Sequence, residues 1–233
     1  MIRLGLLLSI AGAALLLAGP LGTRAGLWSY IIGFLMVGLG MLCGLAGASL
    51  ALVAGIKTGQ WKFAAAAIVI GLAVVSIPSA VIVSARETPA IHDITTDPDN
   101  PPLFVAILPL RAGAANPPEY LGGDVTAQQR RAYPDIQPLV LQVTAEQAFT
   151  RALTAVRDLG WNVVSDDREA GRIEAVDTTF WFGFKDDVVI RVREVSAGSA
   201  RIDVRSKSRV GVSDLGSNAR RVRALLERLQ HAP

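Results

Sequence analysis

Arg201–Leu229 reads RIDVRSKSRVGVSDLGSNARRVRALLERL, a charged strand that turns on Gly211–Asp214 into an amphipathic helix. Ile202 and Val204 alternate with Arg201, Asp203 and Arg205, the period of two that belongs to a half-buried strand. Leu215, Ala219, Val222, Leu226 and Leu229 then recur at steps of three and four, so they share one helix face. Arg220, Arg221, Arg223 and Arg228 lie mostly off it. Such a strand and helix close a small folded domain.

Upstream, Val143–Gly160 reads as the opening helix of that domain. Thr144 and Gln147 have the spacing of a capping box, Phe149, Ala152, Leu153 and Val156 form the apolar stripe, and Gly160 is placed to end it. Strand patterns follow at Trp161–Ser165, Arg172–Thr179, Asp187–Val195 and Arg201–Val210, with Ser196–Ala200 a hairpin connection. The order helix, four strands, helix predicts an α+β domain over 139–233: a four-stranded antiparallel sheet with both helices on one face.

Alternation sorts the side chains of that sheet. If Ile173, Ile190, Val192, Ile202 and Val204 face the helices, then Arg172, Glu174, Arg191, Arg193, Asp203 and Arg205 face the other way. Mixed signs on neighbouring strands suit cross-strand ion pairs on a solvated face. The competing reading is that Arg191, Arg205 and Arg209 bind an anionic headgroup or a carboxylate-bearing partner, with Asp203 orienting them. Phe180–Trp181–Phe182–Gly183–Phe184 is the densest aromatic cluster; alternation would bury Phe180, Phe182 and Phe184 as core. As an exposed hairpin tip, with Trp181 as the residue whose replacement tests the idea, it would instead suit an interface or the bilayer surface.

Before this domain, 86–138 is rich in proline and reads as an extended connecting segment lying along the surface. Its start, His92–Asp99, gathers one histidine with Asp93, Asp97 and Asp99. Metal binding by His92, Asp93 and Asp97 is conceivable; the plain reading is an Asx-type turn, and no metal or cofactor is expected.

The first 85 residues carry no acid, and Arg3, Arg24, Lys57 and Lys62 are their only bases. Three apolar runs, about 4–19, 27–56 and 63–85, predict a three-helix transmembrane region over 1–85, the second and third exceeding the ~20 residues a crossing needs. The first is short, with the apolar part of a cleaved signal peptide as its alternative. Arg3, Lys57 and Lys62 inside against Arg24 outside put the amino terminus in the cytoplasm and the polar domain outside. A bacterial inner membrane with a periplasmic domain is the expected setting. Gly40, Gly44 and Ala48, and Gly47, Ala51 and Gly55, repeat at four-residue steps, for packing within the chain or for a homo-oligomer. No span carries an internal charge or histidine, which speaks against transport by this chain alone.

The net charge of +3 comes from the membrane half, leaving no basic surplus for nucleic acid. Cys43 is the single cysteine, so no disulfide framework or four-cysteine zinc site exists within one chain.

The segments HDITTD, RIEAVDTTFWFGFKDDVVIRV and RIDVRSKSRVGVSDLGSNARRVRALL, over about 92–229, together resemble the uncharacterised bacterial and plastid family called domain of unknown function 1499. The resemblance marks Ser208, Arg209, Gly211, Asp214, Gly216, Asn218 and Arg221 as positions fitting the family pattern and implies no established activity, cofactor or catalytic residue. With no reactive constellation in view, the expected function is a non-enzymatic envelope module, held at the lipid bilayer, for a protein partner or an anionic headgroup. Its candidate contacts are Arg191, Arg205, Ser208, Arg209, Asp214, Asn218, Arg221 and Trp181. The alternative is a membrane-bound hydrolase using His92 with acids such as Asp186 and Asp187, although adjacent strand residues point to opposite faces.

Overall fold

The computed structural model describes residues 1–231 and falls into two compact units. The first holds Met1–Glu87 together with the loop Phe180–Gly183; the second holds the rest of the described chain.

Three helices build the first unit: α1 (Ile2–Arg24), α2 (Tyr30–Thr58) and α3 (Trp61–Ala85), each long and apolar enough to cross a membrane. α1 extends beyond the apolar run that the sequence shows over about 4–19, passing through Pro20 to Arg24. Proline removes one donor near the helix end, where other donors hold the last turn. The Gly19 carbonyl accepts the Thr23 hydroxyl at 3.0 Å and the Trp28 indole N–H at 2.9 Å.

Small residues set the packing. Gly5, Gly12 and Gly19 of α1 recur every seven residues, as do Gly33, Gly40 and Gly47 of α2, and the two rows meet in antiparallel order. A Cβ on Gly12 would lie 2.7 Å from the Gly40 carbonyl oxygen, so only hydrogen fits. Gly44 meets Gly71 and Val74 of α3, and Gly55 meets Trp61 and Ala64. The Ser9 hydroxyl donates to the Ala67 carbonyl at 2.8 Å, tying α1 to α3 with a buried polar bond. Gly40, Gly44 and Ala48, and Gly47, Ala51 and Gly55, the two small-residue rows of α2, are thus buried within this unit.

The loop Phe180–Gly183 lies at the α1–α2 corner. The Arg24 guanidinium donates to the Phe180 carbonyl at 2.8 Å, and the Phe34 and Phe182 rings are 4.6 Å apart. The expected burial of Phe180, Phe182 and Phe184 as sheet core does not occur: Phe180 is 69% exposed, Phe182 and Phe184 are half-buried, and none joins an apolar core cluster, while Trp181 is 52% exposed. The two-residue alternation that would have buried them ends at Thr178, and Gly183, at φ +68°, turns the chain before the next strand.

The second unit holds an antiparallel sheet of six strands rather than four: β1 (Asp93–Thr95), β2 (Leu139–Leu141), β3 (Asn162–Asp167), β4 (Arg172–Thr178), β5 (Lys185–Ser196) and β6 (Ser199–Ser208). Their order is β1-β6-β5-β4-β3, and β2 also pairs with β6. The two extra strands are three residues each, too short to show a period, and both register on β6 through Asp93↔Lys207 and Leu139↔Ile202. Helices α4 (Gly123–Ala132), α5 (Ala145–Asp158) and α6 (Ser217–His231) complete the unit, with a short 3-10 helix at Leu108–Arg111. The capping box of α5 is present: the Thr144 hydroxyl accepts the Gln147 N–H and the Gln147 side chain accepts the Thr144 N–H.

One large apolar cluster joins Phe149, Ala152, Leu153 and Val156 of α5 and Ala219, Val222, Leu225 and Leu229 of α6 to Ile173, Val188, Ile190, Ile202 and Val204. Leu225 takes the central place expected of Leu226, and Leu215 lies outside α6, 37% exposed at φ +53°.

The opposite parity of the sheet is largely covered, with Arg172, Arg191 and Arg193 alone of the expected face still partly exposed. Glu174, Asp187, Asp203, Arg205 and Lys207 are all fully buried, beside a second apolar cluster of Phe104, Ile107, Val176 and Val189. The proline-rich stretch supplies the covering: Phe104 and Ile107 on this side, and Ile91, Ile94, Tyr133 and Ile136 within the larger cluster. Prolines fix an extended path, and the apolar residues between them supply the burial.

Candidate functional site

Charges buried on the sheet must be paired, because an isolated ion out of water costs several kcal/mol. The structure solves this in separate groups. Asp93, at the start of β1, takes Arg205 through two bonds of 2.9 and 2.8 Å and the Lys207 ammonium at 2.9 Å. Arg205 also donates to the carbonyls of Pro102 and Pro118, and Lys207 to that of Glu119 at 2.7 Å. The rings of Phe104 and Tyr120 lie 4.8 and 5.5 Å from the Arg205 guanidinium carbon. Burial pushes the Lys207 ammonium below its ordinary pKa, with Asp93 opposing that shift.

Asp187 gathers two more cations. Arg209 donates to it through Nε and Nη2, the latter at 2.7 Å, and Arg111 of the 3-10 helix bonds it from the other side. Glu174 accepts the backbone N–H groups of Val105, Ala106 and Ile107 at 3.0 Å each, the amides leading into that 3-10 helix.

A third group is partly open. Asp203, fully buried, takes Arg191, Arg193 and Arg201 at 2.8 to 3.1 Å; Asp97 takes Arg191 and Arg201 at 3.2 and 2.8 Å. Three guanidinium groups on two carboxylates leave one positive charge in excess. Arg193 is 41% exposed along its side chain, and its Nε is buried with no hydrogen-bond partner. Asp97 and Arg201 line a cleft of about 440 Å³ with Thr96, Asp99, Arg130 and Gln137. Arg193 opens on another, of about 580 Å³, beside Arg168, Glu169 and Glu194.

The turn into α6 is held by a fourth group. Asp214 accepts the N–H of Gly216 at 2.8 Å and of Asn218 at 2.9 Å, so it caps the helix. Asn218, fully buried, receives Ser206 and Arg221 on its side-chain oxygen and donates to Ser208 and to the His92 carbonyl. Arg221 continues to Asp177 and Asp186. Burial raises the pKa of both Asp186 and Asp214 against the bonds that lower it.

The candidate residues therefore separate. Arg205, Ser208, Asn218 and Arg221 are buried and bonded to one another or to aspartates; Arg191 and Arg209 show only a small exposed fraction; Asp214 caps a helix; Trp181 stands exposed in the first unit. Arg205 and Arg209, grouped as one anion site in the sequence, serve different aspartates. Asp186 and Asp187 likewise point to different partners. The His92 imidazole lies 3.2 Å from the Val212 carbonyl through Nδ1. Among the described residues no group of three or more His, Cys, Asp or Glu side chains could hold a metal ion. In the expected turn, the Asp97 carboxylate accepts the Asn100 N–H at 3.1 Å, three residues on, and the Thr95 hydroxyl accepts the Asp97 N–H at 3.2 Å, two residues on, so side chains do satisfy nearby backbone amides.

Arg111, Arg193, Arg201 and Lys207 are the members that the sequence did not single out, and Asp93, Asp97 and Asp187, weighed there as metal ligands or hydrolytic acids, serve instead as ion-pair partners. Lys207 extends the parity of Asp203 and Arg205, a legible signal. Arg111 carried none, since its partner is remote in sequence.

A family model described as "Protein of unknown function (DUF1499)" matches residues 93–229, more than half of the chain. The chain belongs to that family. The matched span begins at Asp93 and ends at Leu229, so the DUF1499 region takes in all six strands, α4 and α5, and all but the end of α6. The charged groups of the DUF1499 region lie wholly inside this span. No curated protein matches the chain.

Proposed function

We propose that the chain is a non-enzymatic binding module of a bacterial cell envelope, held in the inner membrane by three spans with its α+β domain in the periplasm. In this reading the cluster of Arg191, Arg193 and Arg201 receives a carboxylate-bearing segment of a protein partner. One observation carries it: three guanidinium groups share two carboxylates, with Arg201 and Asp97 lining one cleft and the partly exposed Arg193 another. The other cation groups are enclosed and serve the fold. The two small-residue rows of α2, Gly40, Gly44 and Ala48 and Gly47, Ala51 and Gly55, are buried within the chain, which leaves the domain surface as the contact region in this reading. We also read α5 and α6 as covering one face of the sheet, supported by the single apolar cluster that both share with alternate strand residues. The hydrolytic alternative would need His92 near a free acid, whereas Asp186 and Asp187 are each engaged by arginine. Orientation rests on Arg3, Lys57 and Lys62 lying on one side and Arg24 on the other.

The test is cross-linking in native membranes followed by purification of the full chain. A stoichiometric protein partner should accompany the wild type and the exposed-surface variant R228A, and should be lost from R193A/R201A that keeps its melting temperature. Recovery of the chain alone, or equal recovery from R193A/R201A, defeats the binding reading. A reporter enzyme that works only outside the cytoplasm, fused after residue 231, should be active; inactivity defeats the orientation.

A further inference from the structure

The loop Phe180–Gly183 presents two large aromatic side chains to the outside at one definite level of the first unit. Phe182 is packed on Phe34, in the first turns of α2, and the Arg24 guanidinium at the end of α1 donates to the Phe180 carbonyl while lying 5.7 Å from its ring. Phe180 and Trp181 meet edge to face at 5.2 Å and point away, 69% and 52% exposed. Two exposed aromatic rings of this size are costly in water.

The level of the loop identifies what covers them. Arg24 is the first charge after the apolar run of α1, and Trp28, Tyr30 and Phe34 surround the same corner, Tyr30 and Phe34 in edge contact at 6.2 Å. At the opposite end of the helices Trp61 and Phe63 lie exposed next to Lys57 and Lys62. Aromatic residues with adjoining cations at both ends of an apolar bundle mark the two membrane–water boundaries. The loop therefore sits at the boundary marked by Arg24.

We propose that Phe180 and Trp181 insert into the headgroup–acyl boundary of the bilayer as an interfacial anchor. The indole suits that depth: its ring is apolar and its N–H can bond to headgroup or water. Arg24 supports the anchor by holding the loop backbone and by meeting lipid phosphate from the same corner. The proposal rests on reading α1, α2 and α3 as membrane spans.

The experiment uses the full chain in nanodiscs of phosphatidylethanolamine and phosphatidylglycerol. In a C43A background, W181C, L35C and A197C are labelled with an environment-sensitive fluorophore, and spin-labelled lipids supply shallow and deep quenchers. Leu35 is an exposed residue of α2, and Ala197 lies exposed between β5 and β6. The anchor requires a blue-shifted label at 181, quenched more by the shallow than by the deep probe, with deep quenching at 35 and none at 197. A label at 181 that behaves like the one at 197 while 35 is quenched overturns the anchor alone. An unquenched label at 35 overturns the span reading and the anchor with it. A label at 181 shielded from water yet not quenched by lipid points to a protein cover and also overturns it. Brominated lipid should quench intrinsic fluorescence less in W181F than in the wild type, with the phenyl ring keeping the fold; equal quenching counts against the anchor.

Discussion

Asp186 and Asp187 are consecutive on β5, yet Asp186 accepts a bond of 2.7 Å from Arg221 of α6 while Asp187 accepts from Arg209 and from Arg111 of the 3-10 helix. The strand's alternation splits one acidic pair between two structural tasks. Of the pair, Asp187 is the more costly to lose, because it holds two arginines where Asp186 holds one, and Arg111 has a side chain only 2% accessible. D187A should cost about 3–5 kcal/mol, the penalty of stranding a buried charge. Thermal unfolding of the full chain checks this; a loss within that of an ordinary surface substitution refutes the role assigned to Asp187.

Asp214 gives a pH-dependent prediction. Burial raises its pKa above the ordinary 3.8 in the folded chain. The folded state then binds more protons than the unfolded state between the two values, so this group's contribution is complete below 3.8 and is lost as pH rises through the folded value. D214N should flatten the stability profile in the mildly acidic range. It also removes one of two backbone bonds at the start of α6, costing about 1 kcal/mol. Denaturant melts over a pH series read both effects.

Lys207 has the opposite sign. Its folded pKa is lowered from 10.5 by burial, so the unfolded chain binds more protons as pH falls below 10.5. Stability from this group is present above 10.5 and declines as pH falls through the folded value. K207M leaves the paired Arg205–Asp93 contact in place and should abolish the rise on the alkaline limb. A melting series in alkaline buffers that shows the same limb in K207M and wild type would contradict this.

The glycine rows of α1 and α2 make a size-dependent prediction. A side chain at Gly12 meets the Gly40 carbonyl, whereas a side chain at Gly38 meets nothing within 4 Å. G12L should separate the two helices and lower the detergent melting temperature; G38L should leave it close to wild type. Equal melting of both would rule out the close approach as the source of packing.

The strongly periodic elements were legible in the sequence. The capping box at Thr144 and Gln147, the alternation of Ile202 and Val204, and the three apolar helices all announce themselves through spacing alone. The burial of Arg205 and Lys207 was not legible, because alternation sorts residues to a face but says nothing about what covers that face. Phe104 and Ile107 lie among prolines, where no period survives, and their burial depends on partners about 70 residues away. β1 and β2 are invisible for a related reason: a three-residue strand is defined by its neighbour. Of the candidate contacts, the residues at Ser208, Asn218 and Arg221 were recognisable as a group, but their interlocking in the turn to α6 required the positions of Ser206 and Asp186.

β6 is flanked by β5 on one side and by the short β1 and β2 on the other, and its partner Asp93 lies more than a hundred residues earlier in the chain. Loops of such length close slowly, so contacts of this separation form late. A growing polypeptide cannot complete the sheet until Ser199–Ser208 has emerged and returned to the first strand. Truncation just ahead of β6 would therefore leave three strands without their common neighbour and Asp93 without either cation, a nascent chain with unpaired edges and a strong tendency to aggregate.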